Sequence, residues 1–488
     1  MIPGSRRGLT IASLIGSGLL LGALAVCTVS ARAASVSKEA PGPRAPPPRI
    51  FVLTDIGSDP DDEESLVRLL VYSNEFDIEG IAATTSTWLR DSVHPELIEE
   101  RVHAYGVVLP NLRKHASGYP DEKDLLARVK TGLPLYGMEG VGESKDSPAS
   151  ESLIAAVDKA DPRPLWITDW GGANVLAQAL WKVRNTRSPA QLETFISRLR
   201  VYSISDQDDA GPWVRRTFPS LFWIVSVHAF SQYGLAAWAG ISGERMLQFD
   251  TGADFTKVSH EWLRDNIRRG PLGSVYPDFK FIMEGDSPSF LYLIQNGLGV
   301  PEHPEFGSWG GRYGQIEAGS GLRADTVDRV LGKDGRLYAD NHATVWRWRD
   351  AFQNDFAARI KWTLTPSFKQ ANHNPVLVVN GVGGRGPLEL TAPPGARVDL
   401  DAMGSYDPDH DALEYRWWQY AEAGVEPSGA ARPPTLQIQG AGSMRASFVM
   451  PTTQLRTALH IILEIHDDGT PSLTSYRRVI VTAGAATP

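Results

Sequence analysis

Residues 49–62 read RIFVLTDIGSDPDD, and this stretch decides the predicted fold. Its first six residues form an apolar, β-rich run that is typical of a strand buried on both faces. After the turn, Leu66, Leu69 and Leu70 recur at helical spacing, and residues 78–85 again have the composition of a strand. The stretch therefore predicts a βαβ unit, which is the building block of a parallel sheet flanked by helices.

The same alternation continues along the chain. Further strands are predicted at residues 164–168, 199–204 and 221–227, and a helix is predicted at residues 173–181. This order of elements indicates a mostly parallel α/β sheet. Functional groups in such sheets gather at the carboxyl ends of the strands, so we expect a site built from several of the following loops.

From about residue 375 the pattern changes. Short β-rich runs follow one another, separated by Gly, Pro and Asp turns, and this texture is typical of an all-β sandwich. A chain of 488 residues is also too long for one ordinary core. We therefore predict an α/β domain over residues 49–370 and a β-sandwich domain over residues 374–488.

The N-terminus has the pattern of an export signal. Two arginines precede an apolar run over residues 9–29, and small residues around Ala33 suit a cleavage site. We predict that residues 1–34 are removed as a general secretory or twin-arginine signal, and that residues 35–48 form a Pro-rich leader. The apolar run contains Thr, Ser and Gly, which disfavours a stable membrane anchor. The predicted location is periplasmic or extracellular.

Charge and cysteine content exclude several classes of function. The net charge of −9 and a pI near 5.7 argue against binding of a nucleic-acid polymer, because such binding normally needs clustered Lys and Arg. The only cysteine, Cys27, lies in the predicted signal. The mature protein is therefore expected to hold no disulfide and no thiolate metal site.

Four carboxylates fall within eight residues at the turn after the first strand, at Asp55, Asp59, Asp61 and Asp62. Unit charges about 4 Å apart repel by roughly 1 to 4 kcal/mol, so converging carboxylates need a cation, a shared proton or solvent between them. Hard oxygen ligands favour Ca²⁺ or Mg²⁺ over zinc. A divalent cation site is therefore one interpretation of the turn.

Helix capping is the other interpretation. Asp59 can serve as N-cap with Pro60 at the first helical position, and Asp61 and Asp62 favour the positive end of the helix dipole. Capping leaves Asp55 unexplained, because Asp55 stands on the strand side of the turn. The residues alone leave both interpretations open.

Over about residues 49–314 the chain resembles the nucleoside hydrolases, and more closely the secreted nucleoside-hydrolase-like proteins called cellulose-binding proteins. The resemblance implies a nucleoside-hydrolase-like fold holding Ca²⁺, with Mg²⁺ less favoured. It implies that Asp55 and Asp62 are metal ligands and that Asp61 takes a proton from the attacking water. The turn here is two residues longer than in typical nucleoside hydrolases, so Asp59 competes with Asp61 for that role.

Two later segments extend the resemblance. Residues 170–176 resemble a glycine-rich turn, which implies a metal contact from the Ala173 carbonyl and a substrate contact from Asn174. Residues 283–288 resemble the segment that supplies a distant metal carboxylate, which implies that Asp286 is a ligand. The alternative for Asn174 and Asp286 is that each only caps its helix.

The chain also departs from the family. Gly285 stands where nucleoside hydrolases carry a histidine that can protonate the leaving base, and their ribose-gripping segment is not recognisable. Glu284 is the predicted replacement acid, and the acidic loop around Asp206 is predicted to contact substrate. Trp88 and Trp309 are predicted sugar-stacking residues, with core packing as the alternative for each.

The C-terminal segment beginning at residue 398 resembles a polycystic-kidney-disease-type Ig-like repeat, so the sandwich is expected to be Ig-like. Its aspartates Asp407, Asp409 and Asp411 either form a turn or bind a second Ca²⁺.

Taken together, the sequence predicts an exported metal-dependent glycosidase that hydrolyses an N- or O-glycosidic, furanosyl bond with an Asp-activated water. The alternative is a non-catalytic protein that binds cellulose or another polysaccharide and retains the aspartate metal site. The expected partner is a carbohydrate or glycoside, and the sequence leaves an oligomer open.

Overall fold

The computed structural model describes residues 46–243, 252–425, 432–453, 455 and 457–484. The predicted export signal over residues 1–34 and most of the leader over residues 35–48 lie outside the described residues. Within the described ranges, no helix combines the length and the apolar character needed to cross a membrane.

The N-terminal part is built on one eight-stranded sheet. The strand order is β3-β2-β1-β4-β5-β6-β8-β7, and every neighbouring pair is parallel except β7 with β8. A separate hairpin of β9 and β10 follows. The strands are β1 Arg49–Thr54, β2 Asp77–Ala83, β3 Val129–Thr131, β4 Leu165–Asp169, β5 Leu199–Ser203, β6 Phe222–Val225, β7 Tyr313–Gln315, β8 Leu322–Asp325, β9 Asp328–Leu331 and β10 Leu337–Asp340.

Helices cover both faces of this sheet, and two separate apolar cores include residues from opposite faces of β1, as expected for a strand buried on both sides. The predicted mostly parallel α/β fold is confirmed. The helices are α1 Asp61–Val71, α2 Pro95–His115, α3 Glu122–Leu126, α4 Pro148–Asp158, α5 Asn174–Thr186, α6 Pro189–Ser197, α7 Ala210–Thr217, α8 His260–Asn266, α9 Gly270–Gly273, α10 Ser287–Leu291, α11 Ala343–Trp346 and α12 Arg349–Leu364.

The register of the central strands sets the position of the loops. Thr54 at the end of β1 pairs with Ala83 at the end of β2, and Leu53 pairs with Asp169 at the end of β4. The three strands are parallel, so the segments that follow them leave the sheet at one edge. The residues after Thr54, Ala83 and Asp169 are therefore brought together.

The C-terminal part consists of β-strands. A four-stranded sheet has the order β13-β18-β17-β15, β14 pairs with β16, and β11 pairs with β12. Most pairs are antiparallel, whereas β13 and β18 run parallel. These strands confirm the predicted all-β part. They are β11 Val378–Val379, β12 Val382–Gly383, β13 Leu388–Ala392, β14 Arg397–Asp401, β15 Leu413–Gln419, β16 Arg445–Val449, β17 Leu459–Asp467 and β18 Thr474–Ala483.

The two parts share apolar packing. Tyr420 and Tyr476 belong to the same buried cluster as the α/β residues, and both pack edge-on against Trp348, with ring centroids 6.0 Å and 5.7 Å away. The sandwich also has a core of its own. The boundary between residues 370 and 374 stays a prediction.

A buried carboxylate also joins the two parts. Asp328 in β9 is fully buried, and it accepts hydrogen bonds from Arg312 at 2.7 Å and Arg347 at 2.8 Å. Across the junction, the Tyr420 hydroxyl donates to the same carboxylate at 2.6 Å. Burial acts to raise the pKa of Asp328, but the two guanidinium groups outweigh it and hold the pKa below its usual value.

Tyr420→Phe is expected to lower the free energy of unfolding by about 1.5–3 kcal/mol, because it removes a hydrogen bond to a buried charge. Urea denaturation of the full chain measures this change. Tyr406→Phe is the matched control, since Tyr406 is 56% exposed, and its effect should stay within about 0.5 kcal/mol. Equal losses in the two variants would contradict the importance of the contact to Asp328.

Candidate metal centre and cavity

A cavity of about 430 Å³ opens at the carboxyl ends of β1 and β4. Its floor is acidic, as predicted for the turn after β1. The aspartates that line it are Asp55, Asp59, Asp61, Asp62 and Asp286.

Neighbouring side chains hold Asp55 and Asp62 in place. The Ser86 hydroxyl, three residues after the end of β2, donates a hydrogen bond to Asp55, and the Thr54 hydroxyl donates one to Asp62. The chain after β4 passes so close that a Cβ on Gly171 would lie 2.6 Å from Asp55 Oδ1. Glycine at this position is therefore required by the close approach of the backbone to the carboxylate.

Asp61 and Asp62 do lie in the first turn of α1, as the capping interpretation expected, but side-chain capping does not account for these aspartates. Pro60 occupies the N-cap of α1, and no side chain caps that end of the helix, so the expectation that Asp59 is the N-cap is wrong. Asp286 does stand at the N-cap of α10, but its side chain makes no capping hydrogen bond. All five aspartates line the cavity instead.

Burial and mutual repulsion raise the pKa values of aspartates in the cavity floor. Burial raises the pKa of Asp55 to about 6, with the hydrogen bond from Ser86 opposing the rise and the charge of Asp59 adding to it. Burial raises the pKa of Asp62 well above its usual value, and the charges of Asp286 and Asp55 raise it further. The negative charges of Asp286 and Asp55 thus act on Asp62 at the cavity floor.

The arrangement fits a divalent cation. One oxygen each from Asp59, Asp61 and Asp62 can lie within 4.8 Å of the others. Asp286 is 1% exposed, and among the described residues nothing donates a hydrogen bond to its Oδ2. A buried carboxylate oxygen without a partner is costly, and a cation held by several carboxylates removes that cost.

The structure explains why residue 285 is a glycine in this chain. A Cβ at this position would lie 2.6 Å from Asp61 Oδ2 and 3.0 Å from the Trp238 ring. The Asp61 carboxylate thus fills the space next to residue 285, so a larger residue there would displace it.

Aromatic side chains form the walls of the cavity. Trp88 is 56% exposed and packs at a tilt against Tyr233, with ring centroids 6.0 Å apart. Trp238 follows Tyr233 in the wall, and Phe281 is exposed at the edge. Trp88 was predicted from the sequence. The others were missed, because the segment after β6 has irregular spacing, and its aromatic and Gly content was the only signal.

The structure does not bring Glu284 to the cavity. Its carboxylate is fully buried and pairs with Arg68, and it also accepts hydrogen bonds from Tyr276 and Ser287, each at 2.8 Å. The role of Glu284 is to neutralise Arg68 in the core. The prediction of a proton-donating Glu284 is therefore corrected to a structural role.

Two other predicted substrate contacts also lie elsewhere. Asp206 makes a two-pronged ion pair with Arg215, at 2.6 Å and 2.7 Å. Trp309 is 2% exposed, and its indole N–H donates to Tyr476 at 3.3 Å. The packing alternative therefore holds for Trp309.

Ala173 and Asn174 stand at the start of α5. The Ala173 carbonyl accepts the Ala177 N–H at 2.9 Å, as the first hydrogen bond of α5. The Asn174 amide donates to Thr85 Oγ1 at 3.0 Å and to the Leu135 carbonyl at 2.9 Å. Both residues are buried, and neither lines the cavity. Their contacts to metal and substrate stay predictions.

A family model described as "Cellulose-binding Sde182, nucleoside hydrolase-like domain" matches residues 49–313, which is more than half of the chain. The chain belongs to this family. A second model, "Cellulose-binding protein Sde0182, C-terminal domain", matches residues 397–483 in the β-strand part. The resemblance inferred from the aspartate turn is confirmed by both matches.

Solved structures agree with this assignment. A nucleoside hydrolase-related hypothetical protein from Saccharophagus degradans, described as associated with carbohydrate metabolism, is 37% identical. The match covers 90% of this chain and all of that one, with a TM-score of 0.76. A PKD domain from the KIAA 1837 protein is 20% identical over 21% of this chain and 85% of its own, but its TM-score of 0.15 is too low to support an argument. No protein with a curated description matches.

Adding Ca²⁺ after chelator treatment is expected to stabilise the protein, by about 2.7 kcal/mol at a concentration 100 times the dissociation constant. Asp286→Asn should gain less from Ca²⁺ than the wild type, and in chelator it should unfold at the same or a higher temperature, because a buried charge is gone. Thermal unfolding with and without Ca²⁺ measures both effects. The exposed Asp91→Asn is the control, and a Ca²⁺ response of Asp286→Asn equal to the wild type would contradict the site.

Proposed function

We propose that this protein is an exported, metal-dependent hydrolase that cleaves an N- or O-glycosidic bond of a furanosyl carbohydrate. The observation that carries the proposal is the composition of the cavity, in which five carboxylates lie beneath a wall of aromatic rings. Its volume of about 430 Å³ falls within the usual range for sites of small ligands. Membership of a family described as cellulose-binding supports a carbohydrate ligand.

The metal in this proposal is Ca²⁺, with Mg²⁺ as the less favoured ion. Asp55, Asp62 and Asp286 would hold it, since all three are nearly fully buried and line the cavity, and Asp286 comes from a segment more than 200 residues after the other two. When bound, the ion supplies positive charge that orients sugar hydroxyls and a water molecule. Carboxylate oxygens are the ligands that Ca²⁺ prefers in proteins.

Asp61 is the proposed base. It lies at the first position of α1, lines the cavity and occupies the space that Gly285 leaves open. In this position its carboxylate accepts a proton from water that attacks the anomeric carbon. Cleavage of a furanoside builds positive charge on the ring, and the surrounding carboxylates stabilise that charge more in the transition state than in the ground state.

The aromatic walls bind the sugar in this proposal. Trp88 and Tyr233 offer adjoining ring faces, and Trp238 closes the wall behind Tyr233, with ring centroids 6.3 Å apart. Aromatic faces pack well against the C–H faces of sugar rings, since both are apolar and flat. This role predicts that Trp88 affects substrate affinity more than the chemical step.

A second candidate function is binding of a polysaccharide without catalysis. The observation that favours it is the exposure of aromatic rings at the mouth of the cavity, where Trp88 is 56% and Phe281 is 62% exposed. The description of the family also names cellulose binding. In this candidate the aspartates keep the metal site but do not activate a water molecule.

Asp61→Asn separates the two functions. The wild-type protein, Asp61→Asn and Trp88→Ala are incubated with 4-nitrophenyl furanosides and pyranosides, nucleosides and cellulose, with Ca²⁺ or with chelator. The leaving group departs as the 4-nitrophenolate anion, which needs no proton to leave, so turnover does not depend on a leaving-group acid. We expect kcat on a furanoside to fall by about 10²- to 10⁴-fold in Asp61→Asn, because the base is lost.

Trp88→Ala should instead raise KM with a smaller change in kcat, and the exposed Asp91→Asn should match the wild type. Turnover should disappear in chelator. If none of the substrates is cleaved, and cellulose retains wild type and Asp61→Asn equally but not Trp88→Ala, the hydrolase proposal fails and the binding function stands.

A further inference from the structure

A second group of aspartates lies in the C-terminal part. Asp407, Asp409 and Asp411 occupy the loop between β14 and β15, and one oxygen from each can lie within 4.8 Å of the others. None of them belongs to the cavity described above. A turn explains part of this arrangement, because Asp407 Oδ1 accepts the backbone N–H groups of Asp409 at 2.7 Å and Asp411 at 3.2 Å.

The turn leaves the other oxygen of Asp407 unexplained. Asp407 is 5% exposed, and its Oδ2 is buried with no hydrogen-bond donor among the residues that the structure describes. An oxygen that only shaped a turn would face solvent or a donor. A buried carboxylate oxygen without either points to a ligand.

Asp467 at the end of β17 repeats this pattern. It is 4% exposed, and its Oδ1 accepts the N–H groups of Leu473 at 2.9 Å and Gly469 at 3.0 Å. Its Oδ2 is likewise buried and without a donor in the described part of the chain. Two buried carboxylates therefore each hold one oxygen in a turn and leave one oxygen free.

The pairing of β15 with β17 brings these residues to one place. Leu413 pairs with Asp467, so the aspartate loop before β15 lies at the end of β17. Asp468 confirms the contact, since its Oδ1 accepts the Ala412 N–H at 2.7 Å. A Cβ on Gly469 would lie 2.5 Å from Asp411 Oδ2, which places that carboxylate directly against the turn after β17.

The cluster lacks a cationic side chain to balance it. Among the described residues, no Lys or Arg forms an ion pair with Asp407, Asp411 or Asp467. Asp468 lies beside them and adds a further negative charge. Among the described contacts, His373 meets this cluster only at Asp409, at 3.0 Å, and the other nitrogen of its ring contacts His115 Nδ1 at 3.0 Å. Negative charge therefore accumulates at this end of the sandwich.

We propose that Asp407, Asp411 and Asp467 hold a second Ca²⁺, with Asp409 completing the acidic shell. Oxygen ligands from carboxylates and the irregular geometry of two turns suit Ca²⁺ better than Mg²⁺ or zinc. This site is independent of the proposed hydrolase function, because it shares no residue with the cavity.

The second site also touches the segment that joins the two parts. Asn372 donates to Asp467 Oδ1 at 3.0 Å, and the His373 N–H donates to Asp409 Oδ2 at 2.8 Å. Residues 372 and 373 follow α12 and precede the sandwich. Ca²⁺ at this site therefore fixes the connection between the α/β sheet and the sandwich as well as the aspartate loop.

Calorimetric titration of the chelator-treated full chain with Ca²⁺ tests the proposal. The wild type should bind two ions, and Asp411→Asn should bind one, because Asn keeps the shape of the residue but removes its charge. Asp62→Asn, in the cavity, should also bind one ion, and the double variant none. Asp399→Asn, an exposed aspartate of β14, is the matched control and should bind two.

The ion counts of the wild type and the variants, taken together, decide the proposal. If Asp411→Asn and Asp467→Asn each bind as many ions as the wild type, the proposal is overturned. A single ion that Asp62→Asn removes and Asp411→Asn keeps would also overturn it. A single ion that Asp411→Asn removes and Asp62→Asn keeps would support this site and contradict the metal centre in the cavity.

Discussion

Buried carboxylates converge at the carboxyl end of β1, and their repulsion is the constraint on which the site depends. Parallel pairing of β1 with β2 and β4 brings the loops together, so the sheet itself creates the crowding. Ser86 and Thr54 each donate one hydrogen bond, which is too few for the oxygens present. Asp286 adds a further charge from a segment more than 200 residues away. A cation bound by these carboxylates would stabilise the floor. The aromatic walls border the space above it, where a ligand can bind.

Local signals in the sequence were sufficient for part of this picture. The strand before Asp55 and the density of aspartates in one turn identified the sheet and its acidic floor, because both are properties of a short stretch. Contacts between residues far apart in the sequence could not be predicted from such local patterns. Glu284 has its counter-charge on Arg68, 216 residues earlier, so its burial as an ion pair left no trace in the residues around it. Trp309 likewise depends on Tyr476 in the C-terminal part for its hydrogen bond.

The C-terminal strands pack directly against the α/β part of the chain. Tyr420 places its hydroxyl on the buried Asp328, and Trp348 packs against aromatic residues of the sandwich. The linking segment carries Asn372 and His373 into hydrogen bonds with the sandwich aspartates. The sandwich is thus held to the α/β sheet by burial, by a shared charge and by the linker. Family models match both the α/β part and the sandwich, which agrees with a fold in which the two parts occur together.

A crystal structure of the full chain grown with Ca²⁺, with anomalous scattering recorded, shows whether an ion occupies the cavity floor. We expect an anomalous peak there, about 2.3–2.6 Å from carboxylate oxygens of Asp62 and Asp286. Asp55 should complete the same shell. Crystals that show no peak there at saturating Ca²⁺, with the Asp62 and Asp286 carboxylates turned away from each other, would contradict it.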